Sequence, residues 1–318
     1  MTRRGWMTCL ATLTALSGAA GARAQVPSPS QPPTAQASAF PDSLLDQARA
    51  LARSGAGERP LAVHVIKLAE SAGPLSNYVA GADSQRVPSC FPVFQIRYRD
   101  RWIVVDAGLD RETITRFYGA NTRLVFWPDR YDRVQAALRD AEHVVLTHEH
   151  LDHAVGVTRG PYLRQVAAKT LLTTEQVQAL LTPPSRGILR VAPDTAALFP
   201  QLRYDRLYAL APGVVLIKAP GHTPGSQFVF VLLASGREIL LAGDVAWQTE
   251  GMATGRQKPD ATVRSLGEDP GAVQAQLDWV RRIYEGGTVS VVLSHDSRSL
   301  DALVARGVLV SDFDLTPP

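Results

Sequence analysis

The chain of 318 residues is long enough to bury a sizeable core in one large domain or two smaller ones. Its apolar and charged fractions, 45% and 20%, are those of an ordinary globular protein, and no run of about 18 apolar residues predicts a membrane anchor in the mature chain. The formal net charge of +3 falls to 0 without the three arginines of the first 24 residues, which argues against nucleic acid as the main partner.

The N-terminal region has the composition of an export segment followed by a linker. Residues 1–24 have a basic head, a modest apolar stretch and a small-residue end, which predicts a secretory signal peptide. The two arginines of the head resemble a twin-arginine signal, and an ordinary Sec signal is the alternative. Residues 25–40 are rich in Pro, Ser and Gln and predict a disordered linker, which leaves 41–318 as a single domain. We therefore expect an exported protein, periplasmic or secreted.

Beyond the linker, helical and extended patterns alternate along the chain. The stretch "PDSLLDQARALARS" predicts a first helix that is capped by Asp42 or Ser43. Short apolar runs then predict strands at 61–68, 93–98, 102–106, 143–147, 214–219, 227–233, 238–242 and 288–294. Amphipathic stretches predict helices at 111–118, 129–140, 175–181, 270–284 and 298–306. This alternation predicts a layered α/β protein in which helices cover the sheets.

The heptapeptide "THEHLDH" at 147–153 holds three of the seven histidines. Neutral imidazoles and carboxylates are ligands that zinc and related divalent ions prefer. His148 and His150 can point to one side of a bending loop, whereas Asp152 and His153 fall in the first turn of a helix that we expect to begin near Leu151. One tetrahedral site cannot take all four side chains and further ligands, so the motif favours two ions.

Three more polar residues follow apolar strands directly. His222 follows "VVLIKA", Asp244 follows "ILLAG", and His295 follows "VSVVLS". Side chains at the carboxyl ends of separate strands can converge at one edge of a sheet. Each residue alone is more often a turn or capping residue, but together with the heptapeptide they predict a metal site. Cys90 is the only cysteine outside the first 24 residues, so neither a disulfide nor a thiolate zinc cage is expected.

The motifs "THEHLDH", "GHTPGS", "AGD" and "LSHD", in this order, resemble the metallo-β-lactamase superfamily over residues 61–307. The resemblance implies a four-layer αββα sandwich and two divalent metal ions, with zinc as the favoured ion. By the motif match, the first ion would be held by His148, His150 and His222, the second by Asp152, His153 and His295, and both by Asp244. The strand and turn "WIVVDAGLD" would place Asp106 in support of the site.

An acid at the position of Asp244 is typical of the members of this superfamily that cleave esters, thioesters, lactones or phosphoesters. The resemblance implies a metal-bridging hydroxide as nucleophile and a small-molecule substrate, with Asp152 as the catalytic residue that relays a proton to the leaving group. The pattern is most similar to the acyl-homoserine lactonase branch, so we expect a hydrolase of lactones or related esters. An exported phosphotriesterase is the alternative, and a metal-binding protein without turnover is a third hypothesis.

Two segments are expected to overhang the metals. Residues 71–92 are expected to form a long loop or flap, and residues 247–270 follow Asp244. Their apolar side chains predict a substrate pocket with walls formed by Tyr78, Phe91, Trp247 and Met252. Lactonases of this branch usually carry Tyr three residues after the bridging Asp, where this chain has Trp247. The sequence leaves the native substrate, the metal, the export route and the oligomeric state open.

Overall fold

The computed structural model describes residues 40–119 and 123–316. The expected signal peptide at 1–24 and almost all of the linker expected at 25–40 lie outside the described residues, and of these two segments only Phe40 is described. In the described part of the chain, no helix combines the length and the apolar character needed to span a bilayer.

The strands begin soon after the first helix and continue to the C-terminus. They are β1 (Ala62–Pro74), β2 (Arg86–Arg97), β3 (Trp102–Val105), β4 (Val125–Phe126), β5 (His143–Val145), β6 (Thr170–Thr173), β7 (Gln201–Leu202), β8 (Leu207–Ala211), β9 (Val214–Lys218), β10 (Gln227–Leu232), β11 (Glu238–Leu241), β12 (Val289–Val292) and β13 (Val310–Ser311).

Helices lie between most of these strands. They are α1 (Ser43–Ser54), α2 (Arg111–Tyr118), α3 (Pro128–Asp140), α4 (Leu151–Thr158), α5 (Leu163–Ala167), α6 (Thr174–Leu181), α7 (Pro193–Ala196), α8 (Thr249–Thr254), α9 (Asp260–Leu266), α10 (Pro270–Gly286) and α11 (Ser297–Ala305), with a 3₁₀ turn at Leu75–Asn77. All the strands and helices expected from the sequence are present, and α4 begins at Leu151 as expected.

The strands form two sheets. In the described residues the first sheet has the order β13-β1-β2-β3-β5-β6-β7, with β4 paired to β1, and the second has the order β12-β11-β10-β9-β8. Strands β3, β5 and β6 are parallel neighbours. Strands β11 and β12 are also parallel, and β9 has the same direction because β10 is antiparallel to both β9 and β11. The ends of these parallel strands therefore collect at one edge of each sheet.

The two sheets pack face to face between outer layers of helices. Strand β9 shows how the sequence produces this arrangement, because all of its apolar residues are buried although they point to opposite faces. Val214 and Leu216 belong to the core between the sheets, whereas Val215 and Ile217 pack against the helical layer that includes α1 and α10. Helices α3 to α6 cover the outer face of the first sheet in a third core. The result is the four-layer αββα sandwich.

The expectation of a long loop or flap over residues 71–92 is wrong for the two ends of the segment, and only residues 75–85 lie outside the strands. Strand β1 runs to Pro74, strand β2 begins at Arg86, and the two are paired along their whole length as a hairpin. Prolines at 88 and 92 obscured the strand in the sequence, because proline normally interrupts a ladder. A register shift between Lys67 and Ala69, opposite Pro92, lets the pairing continue past that proline.

The segment 247–270 also has more regular structure than expected, since it contains α8 and α9. Met252, expected in the wall of a substrate pocket, is instead only 1% exposed and belongs to the core under α10. It lies on α8, whose apolar side packs inward, so the segment is anchored to the core on the side away from solvent.

An aromatic cluster on the outer face of the second sheet offers a test of the packing. The indole of Trp279 on α10 stacks on Phe228 at 5.9 Å and lies 5.4 Å from Phe40. We expect Trp279→Ala to lower the free energy of unfolding by about 3–5 kcal/mol, because the cavity left in this core cannot collapse fully. Tyr284→Ala on the same helix should cost about 0.5 kcal/mol or less, since Tyr284 is 42% exposed. Urea denaturation of both variants measures the difference, and equal losses would contradict the assigned packing.

Candidate metal centre

Five strands end at the place where the expected ligands lie. From the first sheet, β3 ends just before Asp106, and β5 is followed by the segment 147–153. From the second sheet, β9, β11 and β12 lead into His222, Asp244 and His295. The side chains of these three residues are buried, with at most 7% of the side chain exposed. The site is therefore built where the carboxyl ends of strands from both sheets meet.

Seven side chains converge there in three groups that share members. Within each group, the ligand atoms lie within 4.8 Å of one another. The first group is a trio of imidazoles, and the other two contain both imidazole and carboxylate. The groups are His148, His150 and His222; His148, His153 and Asp244; and Asp152, His153 and His295. The structure thus brings together all seven residues that the sequence singled out as metal ligands.

The spacing of the inward-facing atoms fits metal coordination. The Nε2 atoms of His153 and His222 each lie 3.5 Å from an oxygen of Asp244, and Nε2 of His295 lies 3.4 Å from Oδ2 of Asp152. These separations are long for hydrogen bonds. They match the roughly 3.3–3.4 Å that separates two ligand atoms bound at about 2.0–2.1 Å to one tetrahedral zinc ion.

Three inward atoms lack a hydrogen-bond partner among the described residues. They are Nε2 of His153, Nε2 of His222 and Oδ1 of Asp244. A buried polar atom without a partner is costly in a folded protein, and a cation would satisfy all three. Five imidazoles and two carboxylates are also a donor set that zinc and similar divalent ions favour, so the residues fit the metal that the motifs imply.

In four of the histidines, Nδ1 is the ring nitrogen that points away from the ligand cluster, and it faces a hydrogen-bond acceptor. These histidines are His148, His153, His222 and His295. Nδ1 of His148 lies 3.1 Å from the Thr147 hydroxyl, and Nδ1 of His295 lies 2.7 Å from the Cys90 carbonyl. Nδ1 of His153 and of His222 each face a carboxylate, as described below. A proton held on Nδ1 by such an acceptor leaves the Nε2 lone pair free to face an ion.

Asp106 holds both ends of the heptapeptide 147–153 through hydrogen bonds to Thr147 and His153. Its carboxylate is fully buried and accepts from Nδ1 of His153 at 2.9 Å and from the Thr147 backbone N–H at 2.7 Å. Asp106 also has a positive φ of 65°, which is uncommon for a residue other than glycine. Such a backbone conformation persists where the surrounding structure enforces it, and here it aims the carboxylate at His153.

Asp244 lies between two groups of ligands. The first group is His148, His150 and His222, and the second is Asp152, His153 and His295. Gly243 precedes it with a φ of 52°, so the chain turns sharply after β11 in a conformation that glycine adopts without strain. The Oδ2 atom of Asp244 accepts from Nε1 of Trp247 at 2.7 Å and lies 3.0 Å from Nε2 of His295. The indole N–H of Trp247 is thus directed at the bridging carboxylate, and its ring lies beside the site.

Burial and the neighbouring charges set the ionisation of the ligands. Burial holds the pKa values of His148 and His150 well below the ordinary value for histidine, which keeps both rings neutral and able to bind a metal. Burial also lowers the pKa of His153, but the surrounding carboxylates outweigh it and raise that pKa to about 10. For Asp244, burial raises the pKa, yet the adjacent imidazoles, with His295 first, hold it well below its usual range.

Aromatic side chains gather near His295. The rings of Phe91 and Trp247 lie 5.4 and 5.9 Å from the His295 ring, and Tyr78 lies 6.2 Å from Trp247. The structure therefore brings three of the four expected pocket residues, all except Met252, to one side of the site, although Phe91 is only 6% exposed and packs in a core with Leu109 and Leu151. Tyr118 at the end of α2, which the sequence analysis did not single out, packs edge-on against Phe91 at 5.8 Å.

Two carboxylates that the sequence analysis missed support the site from outside the ligand set. Glu268 accepts from Nδ1 of His222 at 2.6 Å. Glu149, between two ligands in the heptapeptide, accepts from the Thr223 hydroxyl at 2.9 Å and from the Gly225 N–H at 3.1 Å, and burial raises its pKa to about 7. Glu149 was visible in the motif, but its partners lie more than 70 residues away in sequence. No local pattern marked Glu268.

The loop between α6 and α7 is a further feature that the sequence analysis did not consider. The carbonyl of Gly187 accepts from the Leu151 N–H at 2.8 Å. A Cβ atom at Gly187 would lie 2.7 Å from Cδ2 of His150, closer than real Cβ atoms come to other atoms. Glycine is therefore required for this loop to pack directly over a ligand ring.

The fold is similar to that of solved lactonases. One is an N-acyl homoserine lactone hydrolase with the product N-hexanoyl-L-homoserine at its catalytic metal centre, with a TM-score of 0.57, 15% identity, and coverage of 77% of this chain and 96% of that chain. Another is AidC, a dizinc quorum-quenching lactonase, with a TM-score of 0.52, 13% identity, and coverage of 75% and 90%. At these identities the similarity establishes the fold.

Sequence comparison identifies relatives and a family. The chain is 26% identical over 121 residues to an N-acyl homoserine lactonase of Bacillus sp, covering 37% of this chain and 44% of the relative. It is 22% identical over 160 residues to the N-acyl homoserine lactonase AiiA of Bacillus thuringiensis subsp. kurstaki, covering 49% and 56%. The chain thus spans about half the length of the curated relatives it matches. Residues 93–295 match the Metallo-beta-lactamase superfamily, a range that includes all seven converging ligands, and the chain belongs to this superfamily.

Proposed function

We propose that this chain is a dinuclear metal-dependent hydrolase that opens lactones or cleaves related esters. The observation that carries the proposal is the position of Asp244. One carboxylate lies 3.5 Å from Nε2 of His222, in the first ligand trio, and 3.5 Å from Nε2 of His153, in the second. An acid shared by two adjacent sites is the feature that lets two ions bind side by side.

The donor set supports two divalent ions, with zinc favoured. His148, His150 and His222 would hold one ion, Asp152, His153 and His295 the other, and Asp244 both. When bound, two such ions polarise a carbonyl oxygen and lower the pKa of water so that it can attack at neutral pH. The side chains of this protein would hold the substrate and transfer the proton.

Asp152 is suited to the proton transfer. Its side chain is 13% exposed, whereas that of Asp244 is 3% exposed, so Asp152 is the ligand carboxylate that a substrate can reach. Addition of water to the carbonyl carbon and cleavage of the C–O bond leave an alkoxide that needs a proton. Asp152 can accept the proton that the attacking water loses and pass it to the leaving oxygen, which yields the hydroxy acid.

The aromatic side chains support a substrate with an apolar part. Trp247, Tyr78 and Tyr118 lie on the His295 side of the site and can pack against an acyl chain, and Phe91 packs against Tyr118. The relatives described above are named as lactonases, which favours a lactone as the small-molecule substrate. Because the indole N–H of Trp247 is directed at Asp244, it stabilises the bridging acid, and the ring serves as part of the wall.

Turnover of a substrate panel tests the proposal. The purified, metal-loaded mature protein is assayed on lactones, aryl esters, phosphotriesters, β-lactams and thioesters, and we expect the highest kcat/KM with lactones. A clear preference for phosphotriesters would support the alternative hydrolase. An absence of turnover on every substrate, with both metals bound, would support a metal-binding protein without catalytic activity.

Asp106→Asn tests how the second ion is held. The amide keeps the size of the carboxylate but not its charge, so His153 loses its charged partner. We expect the affinity for one of two metal equivalents to fall by about 10–100-fold, measured by chelator competition. Asp312→Asn is the matched control, because Asp312 shares the positive φ, at 66°, but is paired with Arg133. Retention of both ions with wild-type affinity in Asp106→Asn would show that Asp106 only shapes the turn.

Trp247→Phe tests the hydrogen bond to the bridging acid. The change keeps a ring in the wall but removes the donor that lies 2.7 Å from Asp244. We expect kcat/KM for lactones to fall by about 10-fold, because a polar partner of a metal-binding residue is lost. Trp127→Phe, at an indole that packs on Arg130, should leave the kinetics unchanged. Wild-type kinetics in Trp247→Phe would mean that this hydrogen bond makes no contribution to the site.

A further inference from the structure

Lys258 and Glu268 form a buried ion pair beside the metal centre. The Nζ atom of Lys258 lies 3.1 Å from Oε1 of Glu268, and neither side chain has any exposed area. Both residues lie on the chain between α8 and α10. Removing two charges from water is expensive, and a buried pair often contributes little net stability. Such a pair next to a candidate active site therefore suggests a role in that site.

The carboxylate of this pair holds a ligand. The oxygen of Glu268 that contacts Lys258 also accepts from Nδ1 of His222 at 2.6 Å. With its proton on Nδ1, His222 presents the lone pair of Nε2 to the ligand cluster, where that atom has no hydrogen-bond partner among the described residues. Glu268 thus sets both the orientation and the tautomer of His222.

The other side of Lys258 faces the bridging acid through an aromatic ring. Its ammonium lies 5.4 Å from the centroid of the Trp247 ring, within the range of a cation–π contact. The N–H of the same indole donates to Oδ2 of Asp244 at 2.7 Å. One buried ammonium therefore contacts the residue that orients His222 and the residue that donates to Asp244.

We propose that Lys258 is a positioning residue that holds His222 and Asp244 in their metal-binding orientations, through Glu268 on one side and Trp247 on the other. Its effect is larger on the first ion, which both of these ligands would hold, than on the second, which of the two only Asp244 would hold. The inference rests on the dinuclear function proposed above. It adds to that site the ammonium group of Lys258, which acts on the metal ligands through Glu268 and Trp247.

Three variants test the inference through metal binding instead of turnover. Lys258→Met keeps a long apolar side chain against the indole but removes the charge. Glu268→Gln keeps the shape of the acceptor, and the double variant removes both charges together, so that no unpaired charge is left buried. Lys218→Met with Glu175→Gln is the matched control, since that pair is also a Lys–Glu contact, at 2.5 Å, but touches no ligand.

The measurements are zinc affinity by chelator competition and the visible absorption of the cobalt-substituted protein, with circular dichroism to confirm folding. We expect Lys258→Met to weaken one zinc equivalent by about 10–100-fold and to change the cobalt spectrum, with a smaller effect on the other equivalent. The double variant should lose less affinity than the sum of the two single losses, because Lys258 and Glu268 share their action on His222. It should lose more than Glu268→Gln alone, because Lys258 also acts on Asp244 through Trp247. The control pair should match the wild type.

A folded Lys258→Met protein with wild-type zinc affinity and an unchanged cobalt spectrum would overturn the inference. If that variant does not fold, the double variant is compared with Glu268→Gln, and equal zinc affinities and cobalt spectra of these two proteins would overturn the inference. The result is distinguishable from a failure of the proposed function. A wild-type protein that saturates with one metal contradicts the dinuclear proposal, whereas a dinuclear wild type with an equally dinuclear Lys258 variant contradicts only the role of Lys258.

Discussion

The carboxylate of Asp244 is the contact that joins the two halves of the site. It follows a strand of the second sheet, yet its oxygens lie within 3.8 Å of His148 and 3.5 Å of His153, which both follow a strand of the first sheet. The core between the sheets must hold their edges in register for these distances to persist. The geometry of the site therefore depends on the packing between the two sheets. A shift of one sheet against the other would separate the ligands.

Concentrating polar groups at this edge is costly, and the surrounding residues offset the cost locally. Acceptors hold the outward nitrogens of four histidines, and Asp106 adopts a left-handed backbone conformation to reach one of them. Glu149 ties the heptapeptide to the turn that carries His222. On the inner side, Nε2 of His153, Nε2 of His222 and Oδ1 of Asp244 have no hydrogen-bond partner among the described residues. Ligands that are held from outside and have free inward atoms are the arrangement expected of a preorganised metal centre.

Local patterns in the sequence predicted a layered α/β protein and a metal site, and the resemblance of the motifs implied the αββα sandwich. Each ligand directly follows an apolar strand, and His148 to His153 fall in one short motif, so the strand ends alone placed them together. Contacts between distant residues were not predictable in this way. Glu268 lies 46 residues from His222 and carries no motif, and Lys258 is an ordinary lysine in the sequence although it is fully buried in the fold. The β1–β2 hairpin was also missed, because Pro88 and Pro92 resemble loop residues until a register shift accommodates the second of them.

Anomalous diffraction at the zinc edge, from crystals of the zinc-loaded protein, tests the central claim most directly. The claim is that two ions bind side by side and share Asp244. We expect two anomalous peaks, one among His148, His150 and His222 and one among Asp152, His153 and His295, both in contact with the Asp244 carboxylate. A single peak at saturating zinc, or two peaks of which only one contacts Asp244, would contradict it.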